Sequence, residues 1–210
     1  MIVSNNVSVP LQPAPKLIVG LGNPGAEYTE TRHNAGFWFC ERLAHNLGVA
    51  LNHEARFHGY AGRSRDANVW LLLPQTFMNR SGQSVLALAH FYRILPNEIL
   101  VVHDELDIPP GQLRLKYGGG LGGHNGLKDI TARLSTQDYW RLRIGIGHPG
   151  DKNQVANYVL NRARREEQVE IDDAIERALS AWPKIVTADW NAASQIINAR
   201  PAAPNPGKAS

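Results

Sequence analysis

"KLIVGLGNPGAEYTETRHNAGFWFCERLAHNLG", residues 16–48, lays down a strand, a turn and a helix in succession. Residues 16–21 are apolar and β-branched enough for a strand, and Asn23-Pro24-Gly25 reads as a tight turn. A polar run follows to His33. Phe37, Cys40, Leu43, Ala44 and Leu47 then keep one apolar face at helical spacing until Gly48 ends it. Gly20 to Gly25 also satisfies the letters G-x-G-x-x-G. A dinucleotide fingerprint, however, passes directly from strand into helix and places an acidic residue about 20 positions later for the ribose. Here a polar run intervenes, and Ala44 and His45 stand near the acidic position. No NAD or other cofactor is expected, and these glycines need another explanation.

Outward from this unit, strand-like runs recur around residues 57–63 and at 69–73, 99–103, 112–116 and 139–147. Helical patterns fall between and after them. Val85, Leu88, Ala89 and Tyr92 share a face after Ser81; residues 127–134 and 154–161 are shorter candidates, and 165–182 forms an amphipathic helix built on Ile171, Ala174, Ile175, Ala178, Leu179 and Trp182. Strands alternating with helices predict an α/β fold: a single three-layer domain over residues 16–197, with a mixed, mostly parallel twisted sheet and helices on both faces. Residues 1–15 and 198–210, rich in proline and small residues, are expected to be flexible extensions. Ligands of such sheets gather beyond the carboxyl ends of the strands. Three polar clusters fall there: Asn23 after the first strand, Met78 and Asn79 after 69–73, and Asp104 after 99–103.

A chain of 210 residues with 43% hydrophobic content can bury one substantial core. No apolar run reaches membrane-span length and no signal peptide is evident, so a soluble, cytoplasmic protein is expected. The single cysteine, Cys40, rules out an intrachain disulfide. The net charge of +3 is unevenly spread: residues 111–165 hold ten basic groups against three acidic ones, leaving the remainder acidic. A basic segment in an otherwise acidic chain is the footprint expected for a phosphate-rich partner.

No G-x-S-x-G elbow is present, Cys40 lies on an apolar helix face, and "GGGLGGHNG" (118–126) lacks the Gly-Lys-Ser/Thr ending of a phosphate loop. A covalent mechanism therefore has no evident carrier. Among eight histidines, His33 in "TRHNAG" stands at the edge of the strand-end cleft, where a base for water is wanted, and Asp104 is placed to support such an imidazole. Equally, His33 could cap its helix and Asp104 pair with a basic neighbour. His103, Asp104, Asp107 and His124 are metal-ligand types, but no paired histidine spacing supports a metal, and none is expected. Asn23, Asn79 and Asn125 occupy Gly- or Ser-flanked turns from which amides can hold a carbonyl or an oxyanion.

Four blocks, "LIVGLGNPGAEYTETRHNAGFWF", "LLLPQTFMNRSGQSV", "ILVVHDELDIPPGQLRLKYGGGLGGHNGLKDI" and "WRLRIGIGHPGDKNQVANYVL", closely resemble the bacterial-type peptidyl-tRNA hydrolases, in the family's order. The resemblance implies hydrolysis of the ester joining a peptide to tRNA, freeing tRNA from peptidyl-tRNA released prematurely by the ribosome. It implies His33 as the base that activates water, Asp104 as its support, and Asn23 as the group that senses the blocked amino end. Tyr28, Phe77, Asn79 and Asn125 would contact the tRNA end and the peptide, Met78 would wall the site, and Lys116 and Arg143 would meet the phosphate backbone. The implied partner is peptidyl-tRNA, bound by a monomer without a membrane or cofactor. The rival from another class is a catalytically silent RNA-binding protein on the same fold.

Overall fold

The computed structural model describes residues 12–200. β1 (Leu17–Gly20) leads into α1 (Ala35–Asn46). The chain then makes β2 (Asn52–Glu54), β3 (Gly59–Ser64), β4 (Val69–Pro74) and α2 (Ser81–Phe91). β5 (Ile99–Glu105), β6 (Leu113–Tyr117), α3 (Asn125–Leu134) and β7 (Trp140–Gly145) follow. The chain closes with α4 (Val155–Val159), α5 (Arg165–Ser180), α6 (Trp182–Ile185) and α7 (Trp190–Asn198). One seven-stranded sheet has the order β2-β3-β4-β1-β5-β7-β6. Parallel pairing joins β4, β1, β5 and β7 at the centre, while β2–β3–β4 and β6–β7 are antiparallel edges. The expected single α/β domain with a mixed sheet is therefore the one observed.

Period-two alternation along the strands builds two cores. Ile18, Leu71, Leu100, Val102 and Leu142 face α1 and α5, whereas Leu17, Val19, Leu72, Ile99 and Val101 face α2 and α3. α1 lies almost against the sheet: a Cβ on Gly20 would meet Gly36 O at 2.3 Å, and one on Gly36 would meet Val102 O at 2.3 Å. Gly20 and Gly36 of the opening stretch are thus spacers for helix–sheet contact. Cys40 is part of this core, where burial pushes its thiol pKa up and keeps it inert.

Several boundaries differ from the sequence reading. β5 runs two residues past His103, so Asp104 lies within the strand instead of after it. Phe57 sits in a 3₁₀ turn with its ring buried, and the strand begins at Gly59; the polar edge strand β2 carries no apolar signal at all. The helix expected over 154–161 contracts to a 3₁₀ turn and the five-residue α4. The long helix stops at Ser180, just ahead of α6 with its early proline. α7, unanticipated, is capped by Asp189 Oδ1, which accepts from Ala192 N–H at 3.1 Å, and it buries Trp190, Ala193 and Ile197. Trp190 Nε1 donates to the carbonyls of Gln12 and Pro13, both at 3.2 Å. Residues 1–11 and 201–210, most of the two expected extensions, lie outside the described residues.

Candidate active site

β1 is flanked by β4 on one side and β5 on the other, all three parallel, and the order in which strands are added switches from one side of β1 to the other. That switch point is where an open parallel sheet leaves a crevice at its carboxyl edge. The 3₁₀ turn Arg32–Asn34, just before α1, overhangs the crevice. On β5, Leu100 and Val102 face α1, so alternation puts Asp104 on the same face one step further, directly under His33. His33 Nδ1 meets Asp104 Oδ1 at 2.9 Å and Oδ2 at 3.0 Å, so the imidazole's Nε2 is left for the cleft. Burial works to lower the His33 pKa, but the charge and hydrogen bond of Asp104 outweigh it and the net shift is upward. Asp104, only 3% exposed, would be raised by burial; the two imidazoles facing it, His33 and His124, instead hold it well below the usual carboxylate range.

Asn23 is oriented by its own partners. Met78 N–H donates to Asn23 Oδ1 at 2.8 Å, and a backbone amide can only donate, so the Asn23 –NH₂ points the other way, into the cleft. Asn34 locks the backbone beneath: Asn23 N–H donates to Asn34 Oδ1 at 2.9 Å, and Asn34 Nδ2 donates to Asn23 O at 3.0 Å.

His33 stands between two cavities, of about 610 and 220 Å³. The smaller is lined by Asn23, Phe77, Met78, Asn79, Asn125 and Leu160. The larger runs past Asp104, Glu105, Asp107, His124, His148 and Lys152. Asn125, Ala156 and Val159 border both. Phe77 is 60% exposed, an apolar ring held out at the rim, whereas Met78 is buried in the wall. Tyr28 is half-buried in the 25–31 turn and lines neither cavity.

His33, Asp104 and His124 present atoms of metal-ligand type within 4.8 Å of one another. Both imidazole nitrogens facing the carboxylate lie at hydrogen-bond distance from it, His33 Nδ1 at 2.9 Å and His124 Nε2 at 3.0 Å. His103 takes no part in this cluster: its Nδ1 donates to Asp104 O at 2.7 Å, and burial takes its pKa down to about 3.

With this geometry in hand, comparison with known proteins is decisive. The family described as peptidyl-tRNA hydrolase matches residues 17–205. A peptidyl-tRNA hydrolase of Aromatoleum aromaticum is 75% identical over 190 residues, covering 90% of this chain and 97% of the relative. One of Thiobacillus denitrificans is 69% identical over 198 residues, covering 94% and 97%. The crystal structure of peptidyl-tRNA hydrolase from Acinetobacter baumannii superposes with a TM-score of 0.86 at 53% identity, covering 89% of this chain and 95% of that one.

The chain belongs to the peptidyl-tRNA hydrolase family. It is an enzyme that hydrolyses peptidyl-tRNA, and no described helix is long and apolar enough to cross a membrane.

A cluster of cations lies on β6 and β7. Trp140, Leu142 and Ile144 turn into the α5 core, which leaves Arg141 and Arg143 on the opposite face. Register places Arg114 opposite Arg143 and Lys116 opposite Arg141. Like charges directly opposed across an antiparallel pair are unfavourable without counterions. Arg143 is partly neutralised, its Nε donating to Glu105 Oε2 at 2.9 Å. Arg141, 2% exposed, donates from Nη1 to Gly120 O at 2.6 Å, while its Nε and Nη2 have no partner. Lys116 and Arg143, together with Arg114, line a depression of about 380 Å³ beside the larger cavity. Sequence reasoning passed over Arg32, Asn34 and Arg141 as site-building residues and weighed His124 only as a metal ligand. Asn34 and Arg32 flank His33 in "TRHNAG", and strict alternation of "RLR" was the available signal for Arg141.

Proposed function

We propose that His33 is the general base of peptidyl-tRNA hydrolysis, with Asp104 as its support. What carries this reading is the bidentate Nδ1 contact of His33 with a buried carboxylate, which leaves Nε2 facing a cleft lined with amide donors. Nε2 takes a proton from water as the water oxygen attacks the ester carbonyl. The acyl–oxygen bond to the ribose then breaks, and the imidazolium returns the proton to the departing ribose oxygen, giving a free peptide carboxylate and an intact tRNA terminus. Asn79 and Asn125, which line the same cleft, hold the carbonyl oxygen as charge develops on it.

The Asn23 –NH₂ supplies selectivity. A peptide or N-acyl group offers it a carbonyl acceptor, whereas the free ammonium of an aminoacyl-tRNA offers only further donors. Phe77 and Met78 give the peptide apolar contact, and Tyr28, on the turn behind Asn23, meets the tRNA end at the periphery. Lys116 and Arg143, with Arg141 beside them, bind the phosphate backbone whatever its sequence. The enzyme acts as a monomer in the cytoplasm, with tRNA held by its acceptor end. The test is release of tRNA from an N-acetyl-aminoacyl-tRNA at neutral pH. His33→Ala and Asp104→Asn are expected to retain tRNA binding while kcat falls at least about 100-fold, the contribution typical of a positioned base. Unchanged kcat in His33→Ala would remove His33 from the mechanism.

A further inference from the structure

Asp104 serves two imidazoles. Besides His33, it accepts at Oδ1 from His124 Nε2 at 3.0 Å, so a single buried carboxylate is shared from two directions. The proton positions follow from the remaining contacts. His124 Nδ1 accepts from Gly126 N–H at 3.2 Å, closing the first turn of α3; since that amide can only donate, neutral His124 carries its hydrogen on Nε2, aimed at Asp104. The His124 ring also stands 5.0 Å from those of His33 and His103, wedged between the base and the buried end of β5. None of these contacts is needed for a helix cap alone, which requires only Nδ1.

We propose that His124 is a positioning residue for the hydrolysis: by taking part of Asp104's acceptor capacity and fixing its carboxylate, it limits the pull that the carboxylate exerts on the His33 imidazole. The inference rests on His33 being the base. A buried carboxylate facing one imidazole drives that imidazole toward the protonated form, which cannot take a proton from water. A second N–H donor on the same oxygen draws off part of that pull. The other charged groups around the cavity are Glu105, already paired with Arg143, and Asp107, His148 and Lys152 on its outer wall. None of them bonds to Asp104. The carboxylate's partner set is therefore His33 and His124 among the described residues.

The sign is definite. Without the His124 N–H, Asp104 acts on His33 alone, the His33 pKa rises further, and the acid limb of the rate profile moves to higher pH. The experiment is the pH dependence of kcat/KM on N-acetyl-aminoacyl-tRNA from pH 5 to 9 for the native chain, His124→Leu, His124→Gln and His33→Ala, with folding checked by circular dichroism. His124→Leu is expected to move the acid limb upward by about 1 pH unit, the size of a modest charge effect. Activity then falls roughly tenfold on the acid side and recovers to within a few-fold of native at alkaline pH. His124→Gln, whose side-chain amide can donate to Asp104, is expected to bring the limb back toward native. A limb that stays in place, or a uniform loss at every pH, overturns the proposal and leaves His124 a helix cap. Should both variants fold poorly, nitrogen NMR of the native protein decides: His124 protonated on Nε2 is expected, and protonation on Nδ1 refutes it. Full activity of His33→Ala would instead overturn the base assignment and this inference with it, whereas an inactive His33→Ala with an unmoved limb in His124→Leu defeats this inference alone.

Discussion

Replacing Arg32 with methionine keeps the stem and removes the guanidinium, which is the knot tying one wall of the cleft to the base. Nη1 donates to the carbonyls of Tyr158, Asn161 and Arg162 at 3.2, 3.3 and 2.8 Å, and Nη2 to Glu167 Oε2 at 2.8 Å. The same guanidinium lies 4.0 Å over the Tyr158 ring. α4, which supplies Val155, Ala156 and Val159 to the cavities, is only five residues long and cannot persist on its own hydrogen bonds. Its attachment is therefore tertiary, and the Arg32 guanidinium supplies several of its contacts. Breaking a buried charged pair costs about 3–5 kcal/mol. Two facts place this case at the lower end. Glu167 keeps a partner in Arg164 N–H at 3.0 Å, and water can reach the exposed Asn161 and Arg162 carbonyls. A loss of about 3 kcal/mol corresponds to a fall of roughly 6–12 °C in Tm for a chain of this size. Calorimetry measures it, and hydrogen exchange is expected to show lost protection confined to residues 155–162. With a slack wall, KM for a short N-acetyl-aminoacyl-tRNA rises more than kcat falls. A Tm shift below about 2 °C with unchanged exchange would refute the reasoning, because it would mean that the three carbonyls are as well served by water.

Binding of tRNA is expected to weaken on the order of 100-fold between 50 and 200 mM salt if roughly four cations on β6 and β7 meet phosphates, and Lys116→Ala with Arg143→Ala should reduce the slope by roughly two; an unchanged slope would place the phosphates elsewhere. Burial takes His103 down to about 3 from an ordinary value of 6.5, so between those values the unfolded chain binds a proton that the fold does not. Stability from this group is intact above pH 6.5 and is lost as pH falls, by about 1.4 kcal/mol per unit; His103→Leu should flatten urea-derived stability between pH 6 and 4.5 by about one proton. Asp129 Oδ2 accepts from Gly82 N–H at 2.8 Å in the first turn of α2, so Asp129→Ala should lose about 1 kcal/mol, or roughly 2–4 °C, with kcat unaltered.

The fold was legible wherever burial imposes a period. β1, β4, β5 and α1 are apolar on a fixed stride because each packs on two cores or one broad face, and the reading placed them within a residue or two. β2 was invisible because an edge strand with its side chains largely in water needs no apolar alternation; "NHE" pairs with β3 through its backbone and the edge-on contact of the His53 ring with Tyr60. α7 was missed since three buried side chains and an aspartate cap are too little signal over nine residues. The site divides in the same way. His33, Asn23 and Asp104 stand at strand ends and turns that the sequence marks. The sharing of Asp104 by His124 joins residues 20 positions apart through a loop with no period, and Arg32 reaches acceptors 126 to 135 positions away. Such contacts depend on where the chain returns, which local pattern does not encode.

On the proposed assignment, affinity and selectivity reside on different elements, and this follows from the sheet. The cations stand on the face of β6 and β7 opposite the one packed in the α5 and α7 core, because those strands alternate apolar and basic residues. Backbone charge can be bound there without reading any base, as an enzyme acting on every tRNA requires. The donors that recognise an acylated amino group come instead from the ends of β1 and β4, with Asn23 held by the Met78 amide and fixed before substrate arrives. A substitution on the cationic face should therefore weaken peptidyl-tRNA and aminoacyl-tRNA alike. Asn23→Asp, which keeps the acceptor for Met78 N–H but turns the cleft-facing donor into a carboxylate oxygen, should leave tRNA binding near native while narrowing the rate ratio of N-acetylated over free aminoacyl-tRNA by roughly tenfold or more, the worth of one well-placed hydrogen bond to a charged or polarised group. Competition between the two substrates measures that ratio directly, and an undiminished ratio would move the selectivity away from Asn23 to Asn79 or Asn125.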